Sequence, residues 1–126
     1  MAVRLLFGLF LLAHGVAHIV GFGTAYRWGD LAENYSTSIL GGRIDLGEGG
    51  IRAYGIAWLV IAAAFAAVAV GVITRQDWWP AAAIAVTVVS LVFSILGLPL
   101  AKFGVAINLG LLALLAAHSR WGVIPD

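Results

Sequence analysis

His14 and His18 stand one helical turn apart in a run of residues that is otherwise almost free of titratable groups. Two histidines spaced by four on a helix project about 40° from each other and are offset about 6 Å along the axis, a geometry that lets both imidazoles hold one metal ion. The same rings can donate and accept hydrogen bonds to a ligand, or serve as a neutral general base near pH 7. A zinc-protease site requires Glu directly after the first histidine, and Gly15 occupies that place, which excludes that chemistry. Bis-histidine haem ligation by this pair is excluded as well, because axial ligands approach from opposite faces of the macrocycle; a five-coordinate haem is left open. The chain has no cysteine, so it offers neither a thiolate site nor a thiol nucleophile.

The solvent around the pair follows from composition. Hydrophobic residues make up 63% of the chain and charged residues 10%, against roughly 45–50% and about 25% in soluble domains. Four apolar runs span residues 3–22, 53–74, 79–98 and 103–117, and apart from Arg4 none contains Lys, Arg, Asp or Glu. At 1.5 Å of rise per residue, about 20 apolar residues cross a hydrocarbon core of about 30 Å. These runs predict one all-α domain over residues 1–126, an integral membrane four-helix antiparallel bundle. The first run resembles a signal peptide, but lacks a clear small-x-small cleavage site, and is read as a helix that stays. The net charge of +1 provides no basic stripe for nucleic acid.

The long first connection, residues 23–50, holds Asp30, Glu33, Asp45 and Glu48, four of the six carboxylates. A connection of that length is usually functional or carries structure of its own. Its tail, GGRIDLGEGG, reads as turns around a short extended or helical piece. Asp77 is expected to cap the third helix, with Pro80 in its first turn, and Gly97 with Pro99 to close it. Basic residues divide three to four between the two faces, which leaves orientation unassigned. Trp78, Trp79 and Trp121 fall on the face of the termini, as an interfacial belt predicts. Stripes of small residues (Ala13, Ala17 and Gly21; Ala63, Ala67 and Gly71; Ala106, Gly110, Ala113 and Ala117) read as helix-packing surfaces.

Depth along each span identifies what shares the level of the histidines. Tyr54 and Trp58 of the second span, Ser90 and Ser94 of the third and Asn108 of the fourth all fall there. His118 lies roughly 15–20 Å away near the termini and is read as interfacial. Thus His14, His18, Tyr54, Trp58, Ser94 and Asn108 are the candidate ligand-binding residues, below a charged loop. The plainer reading makes the histidines neutral linkers to Asn108 or Tyr54, with Ser90 or Ser94 bonded back to its own helix. A metal alternative adds Asp45 or Glu48 to His14 and His18. No span carries Asp or Glu, so proton-coupled transport would depend on the histidines alone.

The opening RLLFGLFLLAHGVAHIVGF, the GRIDLG segment at residues 42–47 and a final span around Asn108 resemble small four-helix bacterial membrane proteins of the DoxX-like group. The resemblance implies a bacterial inner-membrane protein with respiratory or redox partners and quinone-linked chemistry. Three functions compete at this level. The first is binding of a lipophilic molecule, quinone or membrane lipid, alone or as accessory subunit of a membrane redox complex. The second is a small membrane enzyme using His14 or His18 as general base or metal ligand, and the third is a purely structural subunit.

Overall fold

The computed structural model describes residues 1–125. Five helices make four spans: α1 (Ala2–Ala17) and α2 (Ile19–Ala25) form the first, then α3 (Gly47–Ile73), α4 (Trp79–Leu96) and α5 (Lys102–Trp121). Each span is long and apolar enough to cross a membrane. Leu6, Phe10, Val60, Val88, Val92 and Leu109 lie exposed on the outside of the bundle, where water would penalise them and lipid would not. The chain is a multi-pass membrane protein built as an all-α bundle.

The spans pack in chain order, α1 and α2 on α3, α3 on α4, and α4 on α5; no comparable contact joins α1 to α5. Near the termini the ring is nevertheless filled, because Phe7, Leu11, Phe65, Trp79, Leu111 and Leu115 form one core cluster. Toward the loop the first and fourth spans meet through the buried His14 and Asn108, and a cavity lies beside that contact.

The inward face of the first span carries Arg4, Phe7, Gly8, Leu11, His14, Gly15 and His18. Glycines set its distance from α3, Gly15 and Gly21 at the level of the histidines. A Cβ on Gly15 would come within 2.7 Å of the Phe65 Cβ, and one on Gly21 within 2.5 Å of the Trp58 ring. Gly15, the residue that removes the protease motif, is therefore a packing requirement.

The first span is interrupted at His18. Its amide bonds to the Gly15 carbonyl at 3.0 Å, while its Nδ1–H donates to the His14 carbonyl at 2.7 Å. The side chain thus takes the acceptor that a regular α-helix gives to the amide, and the turn tightens.

The connection carries structure of its own. A 3₁₀ turn at Gly29–Asn34 leads into a two-stranded antiparallel hairpin, β1 (Ser38–Ile39) with β2 (Ile44–Asp45). Leu40 N–H bonds to the Leu96 carbonyl at 2.8 Å and pins the hairpin to the end of α4. Asp45 Oδ1 accepts the Gly47 N–H at 2.9 Å where α3 begins, so the helix starts ahead of the expected residue 53. That bond, with a further one from Thr37, holds the exposed Asp45 carboxyl below its ordinary range.

Several expectations need correction. Asp77 makes no capping bond to α4, whose N-cap position is Trp78, although Pro80 does sit in the first turn. Trp79 is buried against Phe7 and His118, while Trp78 and Trp121 are exposed as a belt requires. Ala13, Ala17, Ala63, Ala67, Ala106, Gly110 and Ala113 face outward. Gly71 of these stripes is buried, and the interior is filled by larger residues together with other alanines, Ala62, Ala69 and Ala83.

Candidate functional site

The level of the histidines is a closed circuit of hydrogen bonds across three spans. His14 Nε2 lies 2.9 Å from Asn108 Oδ1 on α5. Asn108 Nδ2 donates to Ser90 Oγ on α4 at 2.8 Å and to Ser94 Oγ at 3.3 Å. Ser90 Oγ is 2.6 Å from His18 Nε2, and His18 Nδ1 returns to the His14 carbonyl.

Only one placement of protons satisfies every member in the neutral state. The His14 carbonyl only accepts, so His18 carries its proton on Nδ1 and its Nε2 accepts from the Ser90 hydroxyl. Ser90 then accepts from Asn108, whose carbonyl oxygen takes the proton on His14 Nε2. The bonds all run in one direction around the circuit. Among the described residues no fully buried side-chain nitrogen or oxygen lacks a partner, as burial without water requires.

Aromatic rings hold the imidazoles in place. His18 lies between Trp58 and Phe65 with centroids 5.2 and 5.1 Å away. His14 meets Phe65 edge to face at 5.0 Å and runs parallel to Phe10 at 6.2 Å. Tyr54 stacks on Phe93 and donates its hydroxyl to the Phe93 carbonyl at 2.7 Å.

Beside this circuit, in the gap between the first and fourth spans, is a cavity of about 620 Å³. Of the six candidate residues, His14, His18, Tyr54, Trp58 and Ser94 line it. Asn108 is fully buried behind them and holds His14 and Ser94. The exposed side chains of Val20, Leu100, Phe103 and Ile107 are part of its lining, so the cavity reaches the apolar outer surface of the bundle. Asn34, Ser36, Ser38, Ile39, Gly41 and Gly42 roof it.

The charged loop residues take no part in that roof. Glu48 pairs with Arg27 and Arg52, each at 3.4 Å and well exposed, and Asp45 is committed to the start of α3. The structure does not bring Asp45 or Glu48 to the histidines, and no group of three or more His, Asp or Glu among the described residues is placed to hold a metal.

Of the two partners expected for a linking histidine, His14 meets Asn108, whereas Tyr54 turns to the Phe93 backbone. Neither Ser90 nor Ser94 bonds back to its own helix; Thr87 does so instead, to the Ala83 carbonyl at 2.6 Å. Sequence reasoning underrated Ser90, the hub between His18 and Asn108, although its spacing of four from Ser94 marked the same face. Phe65 was missed altogether; its spacing of seven from Trp58 places it two turns along one face of α3.

The polar cluster at the other end is separate. Arg4, only 3% exposed, donates from Nη1 to the Val72 carbonyl at 3.0 Å and from Nε to the Pro125 carbonyl at 3.1 Å. His118 stacks on Trp79 and accepts the Ile124 N–H at 3.2 Å. Arg4 and His118 thus dock the C-terminal segment.

Comparison of the chain with models of protein families, with curated proteins and with solved structures finds no match.

Proposed function

We propose that this multi-pass membrane protein binds one lipophilic molecule, of the membrane-lipid or quinone kind, in the cavity between the first and fourth spans. The observation that carries the proposal is a mainly apolar chamber that reaches the apolar outer surface of the bundle and has His14, His18 and Ser94 in its lining. The volume of about 620 Å³ falls within the ~300–1,000 Å³ of small-molecule sites. Exposed apolar side chains in its lining suit admission from the bilayer, and loop residues cover its other end. The DoxX-like resemblance of the opening stretch supports a place in a bacterial inner membrane beside a redox complex.

The test is native mass spectrometry of protein purified in mild detergent. Wild type should retain one lipophile per chain, and Ala17→Phe, which fills the chamber from a lining position that faces outward, should release it. Absence of retained lipophile in wild type, or equal retention in both, would overturn the reading.

A second reading has one observation in its favour. His14 is oriented through Nε2 by Asn108 and borders the cavity, the arrangement of a general base in a small membrane enzyme. Turnover of a bound lipophile that disappears in His14→Gln would favour it over simple binding.

A further inference from the structure

The hydrogen-bonded circuit leaves two polar functions over, and both belong to residues that line the cavity. The first is His14 Nδ1. Because Nε2–H is given to Asn108, Nδ1 holds a lone pair and no proton. No described residue bonds it, and since every fully buried side-chain nitrogen or oxygen among the described residues has a partner, Nδ1 keeps accessible surface. The second is the hydroxyl proton of Ser94. Its oxygen accepts from Asn108 at 3.3 Å, and no described acceptor takes the proton. His14 and Ser94 are 7% and 1% exposed, and the space they adjoin is the chamber. One acceptor and one donor, on two lining residues that Asn108 holds through other atoms or lone pairs, are therefore left to the chamber.

We infer that the cavity selects a lipophile whose headgroup is a hydroxyl, such as a long-chain or isoprenoid alcohol or a quinol, over one that presents only carbonyl or ether oxygens. A hydroxyl carries both complementary functions on one group, a proton for His14 Nδ1 and lone pairs for the Ser94 hydroxyl. A quinone or ester satisfies Ser94 but sets an oxygen lone pair against the lone pair of Nδ1. At the level of the histidines the other donors a quinone would recruit are already engaged: Nδ1–H of His18, the amide of Asn108 and the hydroxyl of Tyr54. A site built to bond a hydroxyl discriminates against the analogue that lacks it, because its own buried group is then left unpaired. The inference rests on the proposed cavity reading and narrows it to a ligand class.

The experiment uses a brominated long-chain alcohol and its methyl ether as quenchers of Trp58 fluorescence in the purified full chain. Trp58 lines the chamber, and a Trp58→Phe variant reports the background from the other four of the five tryptophans. In wild type the alcohol should quench the Trp58 component at roughly tenfold lower concentration than the ether. In Ser94→Ala both probes should weaken by a similar factor, with the alcohol still preferred, because both probes accept from Ser94 and only the alcohol donates to His14. Equal quenching by the two probes in wild type overturns the headgroup inference and leaves the cavity reading standing. Failure of both to quench Trp58 overturns the cavity reading and the inference together.

Discussion

At the end of the bundle that holds the termini, Arg4 brings a permanent charge into a filled core and gives two of its donors to backbone carbonyls, with His118 close by. At the loop end, His14, His18, Ser90 and Asn108 form a circuit of neutral side chains that bond one another. The first arrangement docks a chain segment against packed helices. The second borders open space, and it leaves a donor and an acceptor over. A polar group buried for stability is satisfied by the fold itself, whereas one retained at a cavity wall can be satisfied by something that enters.

The largest contrast between the two ends is expected from Asn108→Leu. The substitution removes the three bonds of the circuit that pass through Asn108 and strands His14 Nε2–H, at a cost of about 2–3 kcal/mol. Reversible unfolding in detergent should show that loss, and binding of any lipophile in the cavity should fall with it. Arg4→Met should cost about 1–2 kcal/mol, as expected for loss of charge-assisted bonds. Amide exchange at Ile124 should accelerate in Arg4→Met while cavity binding stays as in wild type. If Arg4→Met abolished binding, the two ends would not be independent.

Neighbouring positions on α4 give a smaller test within one helix. Ser90→Ala should destabilise by about 1 kcal/mol, because His18 and Asn108 both lose a partner. Thr87→Val, one turn away and bonded only to its own helix, should change stability by about 0.5 kcal/mol or less. Reversal of that order would contradict the circuit.

The smallest effect concerns Asp45, outside the spans. Its carboxyl is held below the ordinary value by the Gly47 N–H, so its contribution is fully present above the usual carboxylate range and is lost as pH falls through the lowered value. Amide exchange at Gly47 should accelerate only under such acidic conditions in wild type, and at neutral pH in Asp45→Ala.

The spans and their polar layer were legible in the sequence because four uncharged runs and the depth of each polar residue depend only on helix rise. Which face turned inward was not legible. In lipid both faces of a span are apolar, so periodicity carries little contrast between interior and exterior. For that reason the alanines at 13, 17, 63 and 67 read as packing surfaces and lie outside, and Trp79 read as a belt residue and is buried. The burial of Arg4 was not legible either, because its partners include the carbonyls of Val72 and Pro125, far away in the chain. The cavity between the first and fourth spans depends on how four helices lean together, which no single run encodes.

The central claim, a lipophile held between the first and fourth spans at the level of the histidines, is tested most directly by photolabelling. A long-chain alcohol carrying a diazirine would be irradiated with the protein in lipid nanodiscs and the adducts mapped by peptide mass spectrometry. Saturable adducts concentrated on Val20, Tyr54 and Phe103, and competed by unlabelled alcohol, are the predicted result. Adducts spread over the outward Leu6, Val60 and Val88 without competition would contradict it.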